Sequence, residues 1–307
     1  RAVTRWGSGA GVGPEGVAFD DPGWIYAGMA DGRIMRFRPD GAGAQVFADT
    51  GGRPLGLRFD GAGNLIVCDA FKGVLSVSPD TTVTALITEV NGLPLKNADG
   101  LDIARDGTIY FTDILYKLDC RGKSLTEIRR FRPHGRLLSY DPLSRTVTIL
   151  LDGLYFANGV AVSPDQSFIL VAETTRCRVH RYWLAGPKTG QSEIFIDNLP
   201  GFPDGLSSNG EDTFWLPLVY PRDMMFDTCL TLPLSRTIVF RLPRFLFSGP
   251  RDYGFLLGLD SNGTVIHNLQ DPSGAYVRIT NIVERNGMLY LGSIKEDSIG
   301  VFPVPEM

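Results

Sequence analysis

The chain is poor in the residues on which soft-metal and thiol chemistry rest, with four cysteines and three histidines in 307 residues. Cys68, Cys120, Cys177 and Cys229 never form a C-x-x-C pair, so the spacing argues against a structural zinc site. Cys68 ends the apolar run that starts at Leu65 and reads as a buried thiol, while a disulfide among the other three stays open. A surplus of positive charge is also missing. With 30 Lys and Arg against 34 Asp and Glu, the net charge is −4, and nothing is left over to neutralise phosphates. A nucleic-acid partner is therefore not expected. No run of about 18 apolar residues exists that could span a membrane as a helix. The chain opens on Arg1 rather than methionine, which leaves room for a trimmed leader. Secreted, periplasmic and membrane-anchored locations all stay open.

Turn residues are abundant. Thirty-six glycines and twenty prolines punctuate short apolar runs, and a hydrophobic fraction of 43% is ample for a packed core. One phrase recurs along the chain, a residue before a glycine that opens an alternating strand. Its copies are Glu15-Gly16-Val17, Leu55-Gly56-Leu57, Asp99-Gly100-Leu101, Asn158-Gly159-Val160 and Asp204-Gly205-Leu206. Successive glycines are about 40 to 60 residues apart, the spacing of propeller blades. After each glycine come further short strands with turns between them, such as Leu65–Asp69, Phe168–Glu173 and Met288–Ser293. A unit of this kind cannot bury both of its faces alone, so units must stack on one another. A β-sandwich would not explain why every unit opens on the same phrase. The expectation is one all-β domain over 1–307, a six-bladed β-propeller.

Two segments break the rhythm, about 116–133 and 219–250. The second places Met224, Phe226, Leu230, Leu234, Ile238 and Phe245 at near-helical spacing among Arg222, Arg236, Arg241 and Arg244. It reads as a helical lid over one mouth of the channel, with a membrane-contacting patch as the second reading.

In a propeller the first strand of each blade lines the channel, and its side chains alternate in direction. Four of the recurring positions carry a side-chain oxygen: Glu15, Asp99, Asn158 and Asp204. Three carboxylates in one channel repel one another unless a cation is present. Hard oxygen donors suit calcium, which takes about 6–8 of them, and magnesium or manganese could fit with water completing the shell. Zinc is disfavoured because no histidine belongs to the set.

The phrases Gly107–Asp113, Gly135–Asp141, Phe156–Val160, Val171–Thr175, Leu199–Asp204 and Gly287–Ser293 resemble the strictosidine synthase-like family, nearest to the branch of the adipocyte plasma membrane-associated protein. The similarity extends more distantly to paraoxonases, diisopropyl fluorophosphatase and the gluconolactonase/senescence-marker group. That resemblance implies a six-bladed propeller with a catalytic calcium held by the residues matching Glu15, Asp99, Asn158 and Asp204. Three departures bear on chemistry. Thr280 stands where strictosidine synthase has its catalytic glutamate, which argues against an amine–aldehyde (Pictet–Spengler) condensation. Leu55 stands where paraoxonases place a histidine. Asp99 replaces the usual asparagine and adds charge. His134, His180 and His267 read as structural.

The sequence thus predicts a calcium-dependent hydrolase of lactones or esters, with organophosphates as a further substrate class. The substrate is expected to be a small, apolar molecule. Asp204 or Glu15 would serve as base or nucleophile. Leu55, Thr280, Asp113 and Glu173 are the candidates to line the substrate site, although Asp113 and Glu173 also read as satisfied turn acceptors. A non-catalytic binding propeller with a structural calcium is the rival of a different kind, since fold alone does not warrant chemistry.

Overall fold

Each repeat of the sequence becomes an antiparallel sheet in the computed structural model, which describes residues 3–115, 133–222 and 252–305. Blade 1 holds Val17–Phe19, Ile25–Gly28, Arg33–Phe37 and Gln45–Asp49, and blade 2 holds Pro54–Phe59, Leu65–Asp69, Gly73–Val77 and Val83–Ile87. Blade 3 holds Ala98–Ile103, Ile109–Asp113, Gly135–Asp141 and Thr146–Leu154, and blade 4 holds Ala157–Val162, Phe168–Glu173, Arg178–Trp183 and Ser192–Ile196. In blade 5 the inner strand is split into Gly201–Pro203 and Ser207–Ser208, followed by Phe214–Pro221, Gly254–Leu259 and Val265–Asp271. Blade 6 holds Ile279–Arg285, Met288–Ser293 and Ile299–Pro303. Its fourth strand, Thr4–Trp6, comes from the other end of the chain. A small hairpin, Glu89–Val90 with Leu93–Pro94, lies between blades 2 and 3.

Burial shows why the ring forms. Second strands are covered on both faces, and every residue of Leu65–Asp69, Ile109–Asp113 and Phe168–Glu173 is buried. Outer strands such as Val83–Ile87 are largely exposed. The buried apolar residues fall into six clusters, each shared by two successive blades. The cluster that joins Ile25 and Met35 of blade 1 to Tyr290 and Val301 of blade 6 closes the circle. No blade has a core of its own, so blades are stable only as neighbours. The expected all-β, six-bladed propeller is the observed architecture.

Helix is confined, among the described residues, to the single 3-10 turn Thr174–Arg176. The helical lid falls on 223–250, outside the described residues, as does most of 116–133. Its expected boundary needs a correction, because the strand Phe214–Pro221 keeps 219–221 inside blade 5.

Candidate functional site

The recurring phrase marks the place where the six blades meet. In four blades the inner strand loses its register around the residue before the glycine: Pro54 to Gly56, Ala98 to Leu101, Ala157 to Val160 and Ile279 to Asn281. A bulge of this kind frees a residue from the ladder and re-aims its side chain. In blade 5 the break is complete, and Asp204, Gly205 and Leu206 lie between the two strand segments. The glycines then let neighbouring blades close. A Cβ on Gly16 would stand 1.9 Å from the Leu55 carbonyl oxygen, and one on Gly159 would stand 2.2 Å from the Leu206 nitrogen. Gly56, Gly100 and Gly205 meet the next blade's backbone in the same way. Backbone bonds then link the ring, from Gly159 N–H to the Asp204 carbonyl at 2.9 Å and from Gly205 N–H to the Thr280 carbonyl at 2.8 Å. Blade 6 has Asn281 in the glycine's place. The Asn281 Oδ1 accepts from Val17 N–H at 3.3 Å, and Thr280 Oγ1 donates to the Glu15 carbonyl at 3.0 Å.

The result is a ring of six equivalent positions: Glu15, Leu55, Asp99, Asn158, Asp204 and Thr280. All six line one cavity in the channel, with about 30 Å³ of space for a guest. That suits an ion or a water molecule or two rather than an organic substrate. Acids occupy blades 1, 3 and 5, and the neutral residues Leu55, Asn158 and Thr280 separate them. The alternation keeps the carboxylates apart, and among the described residues no three Asp, Glu, His or Cys side chains form a ready-made metal cluster.

The electrostatics of the ring are unfavourable for a protein alone. Burial, with the nearby Glu15 charge added, pushes the Asp99 carboxyl up to about 8. Burial, Asp99 and Glu15 also hold Asp204 well above the usual carboxylate range, against the Asn158 amide and Arg53, which pull it down. Asn158 is 3% exposed, and its Oδ1 is buried without a hydrogen-bond partner. A buried amide oxygen left unsatisfied is costly, and native structures rarely keep one without a reason. The donor set therefore fits a hard divalent cation. A cation would neutralise the acids and satisfy the amide oxygen, while the Leu55 side chain offers it nothing.

Sequence reasoning missed Arg53. Its Nη2 donates to Glu15 Oε2 at 2.9 Å, and the surrounding Glu15, Asp99 and Asp204 charges raise its pKa. It lies outside the recurring phrase, two residues before Leu55, where a signal was nonetheless available: no other blade but the sixth has a cation two residues before its ring position. Arg58 also lines the channel, and its Nε bonds Asp102 Oδ1 of the next blade at 2.9 Å.

Asp113 and Glu173, also candidates for the substrate site, do not line the cavity. Each ends the second strand of its blade, as does Asp69 in blade 2. Asp113 is paired with Arg136 at 2.6 Å, both side chains being buried. Glu173 accepts from Tyr155 N–H at 2.7 Å, from Arg178 Nε, and faces His180 Nε2 at 2.7 Å. Asp69 accepts from Thr50 Oγ1 at 2.7 Å and from Phe71 and Lys72 N–H. Asp69 and Glu173 fasten turns, and Asp113 ties its strand to Arg136 of the next. Of the histidines, His180 belongs to the Glu173 group and His267 stacks on Trp215 with ring centres 5.2 Å apart. No histidine lines the channel cavity. Cys68 is fully buried, with its Sγ 3.8 Å from the Gly100 carbonyl oxygen.

The fold and the ring define the class: a six-bladed propeller whose axial channel gathers three carboxyls and an amide. The chain belongs to the strictosidine synthase-like family. It matches the strictosidine synthase pattern over residues 99–187 and the N-terminal strictosidine synthase-like pattern over residues 1–37. It is 37% identical to Protein STRICTOSIDINE SYNTHASE-LIKE 10 of Arabidopsis thaliana, over 94% of this chain and 85% of that protein. It is 33% identical to the adipocyte plasma membrane-associated protein of Mus musculus, over 90% of this chain and 72% of that one. Among solved structures, a gluconolactonase from Xanthomonas campestris superposes with a TM-score of 0.72 at 18% identity, covering 96% of this chain and 87% of that one. The calcium-binding protein regucalcin from Agrobacterium tumefaciens gives 0.66 at 14% identity, covering 97% and 90%. These two likenesses concern the fold. Among the described residues, no helix is long and apolar enough to cross a membrane.

Proposed function

We propose that this protein is a calcium-dependent hydrolase of small lactones or esters, with its reaction centre above the six-residue ring. Glu15, Asp99, Asn158 and Asp204 would hold the cation, and magnesium or manganese would satisfy the same oxygens less completely. When bound, the cation supplies Lewis-acid polarisation of a substrate carbonyl, or of the phosphoryl oxygen of an organophosphate. The observation that carries the reading is the unsatisfied Asn158 Oδ1, buried beside acids whose pKa values are raised. Asp204 is the candidate base. Its carboxyl lies in the ring beside Asn158, where it would touch both the cation and a water or substrate held there. Glu15 is paired with Arg53 and is the second candidate for base or nucleophile. The cavity is too small for an organic molecule, so the substrate rests on the ring's rim, where Leu55 and Thr280 flank the acids. Thr280 spends its hydroxyl on the Glu15 carbonyl, which supports the argument against an amine–aldehyde condensation through that position.

The experiment is a panel of aryl esters, γ- and δ-lactones and one organophosphate, run with calcium, with EDTA and with Asn158→Ala. Turnover that calcium restores is expected, with Asn158→Ala weakening calcium at least about tenfold. Calcium that raises only the melting temperature, with no turnover in the panel, would make this a binding propeller with a structural ion.

A further inference from the structure

Beside the ring stands a guanidinium, that of Arg53, which the ring chemistry leaves mostly unused. Arg53 belongs to blade 2, the blade that contributes no oxygen to the ring. An arginine has five N–H donors in a planar fork. Here Nη2 meets Glu15 at 2.9 Å, while Nε is buried and meets no acceptor among the described residues. The side chain as a whole is 39% exposed, so a solute can reach it. Arg278, which stands two residues before Thr280 as Arg53 does before Leu55, is engaged elsewhere. It pairs with Asp252 at 3.3 Å and lies 5.4 Å over the Tyr220 ring.

Glu15 engages only Nη2, so the partly exposed guanidinium keeps donors that the ring does not use. A guanidinium fork of this kind binds carboxylates and phosphates in two-point fashion. The expectation of an apolar substrate rested on 219–250, most of which lies outside the described residues; beside the ring acids, the described residues supply one partly exposed guanidinium, that of Arg53.

We propose that Arg53 anchors an oxyanion of the substrate, so that the lactone or ester hydrolysed carries a carboxylate or phosphate-type group near its scissile carbonyl. The inference rests on the hydrolase reading above, and its test separates the two. Glutarate and methylphosphonate are titrated calorimetrically into the calcium-loaded full chain, alongside calcium titrations of the metal-free chain. Matched lactones with and without a carboxylate are assayed in parallel. Wild type, Arg53→Met and Arg53→Lys are compared.

Wild type binds at least one of the two anions, and the stronger one identifies the group. Arg53→Met weakens that binding about 10- to 100-fold, as loss of a charge-assisted pair does. The same variant binds calcium more tightly, because a repelling charge has left. Arg53→Lys restores calcium affinity to the wild-type value but anion binding only in part, since a point charge cannot reproduce the fork. Equal anion binding in wild type and Arg53→Met overturns the proposal, as does weaker calcium binding in Arg53→Met, which would make Arg53 only a prop for Glu15. Calcium-dependent turnover without preference for the anionic lactone rejects the anchor and keeps the hydrolase. Arg53-dependent anion binding without turnover of any lactone keeps the anchor and rejects the hydrolase.

Discussion

At the scale of single residues, the proposed cation site would couple metal, protons and stability through Asp99. Its carboxyl is pushed up to about 8 by burial and by Glu15, so the folded protein holds that proton more tightly than the unfolded chain does. A group shifted upward gives its full stability below its unfolded pKa and loses it as pH rises through the folded one. In EDTA, the melting temperature is expected to fall from about pH 4 to about pH 8 on account of this group and to level off above that. A bound cation reverses the preference, because it needs the carboxylate, and its uptake near pH 7 releases a proton. Calcium should therefore bind more tightly as pH rises toward 8, and the fall in melting temperature should vanish when calcium is saturating. The difference between the EDTA and calcium curves isolates the ring from the other titrating groups. Asp99→Asn should shrink that difference, leaving the part that Asp204 contributes, and an unaltered difference in this variant would place the proton elsewhere.

At the scale of elements, the inner strand and its glycine do the positioning. Gly159 is required by proximity, since its Cβ would fall 2.2 Å from the Leu206 nitrogen and 2.3 Å from the Gly205 carbonyl carbon. Gly159→Ala is expected to lower stability by about 1–3 kcal/mol, the usual cost of overpacking, and to weaken calcium by pushing Asn158 off the axis. Gly61→Ala, at a hairpin where an added Cβ meets nothing within 4 Å, is the control and should change neither. A denaturant titration of the two variants decides this, and equal midpoints would contradict it. These glycines were the legible part of the sequence because in five blades the next blade's backbone lies too close for a Cβ, and only blade 6, with Asn281, departs. Second strands such as Leu65–Asp69, Phe168–Glu173 and Met288–Ser293 were equally legible, being buried and bounded by turns. Outer strands were not. Val83–Ile87, Ser192–Ile196 and Val265–Asp271 are partly exposed edges whose polarity follows solvent rather than a core. The four oxygen-bearing ring positions could be read from the repeat, whereas Arg53 lies outside it and joins the site through a contact with the neighbouring blade's Glu15. Asp113 and Glu173 share a register position with one another but meet Arg136 and the Tyr155, Arg178 and His180 group, and no one-dimensional pattern distinguishes such partners from a substrate.

At the scale of the whole molecule, the ring is closed by Thr4–Trp6 laid along Ile299–Pro303, and this strand was invisible in the sequence because it is too short to carry a period. Arg5 fastens it through Glu296 Oε2 at 2.6 Å and the Ala275 carbonyl at 2.6 Å, and Trp6 meets the Tyr290 ring edge-on at 5.7 Å. The consequence reaches the channel. Gly292 of blade 6 packs so close to the Glu15 carbonyl that a Cβ would stand 2.3 Å from it, so Glu15 keeps its place only while blades 1 and 6 stay together. Blades hold one another by nearest-neighbour contacts, and a ring with one seam undone becomes an arc with two weak ends. Deleting residues 1–6 should therefore lower the melting temperature and weaken calcium together, although no ligand is removed. Trp6→Ala should do the same more mildly, by about 2 kcal/mol for a half-buried aromatic. Calcium at about 100 times its new dissociation constant should return close to 3 kcal/mol of stability to the shortened chain by mass action. A shortened chain with wild-type calcium affinity would mean that the apolar contacts of Ile25, Met35, Tyr290 and Val301 close the seam without the strand, and that the site is set blade by blade rather than by the closed ring.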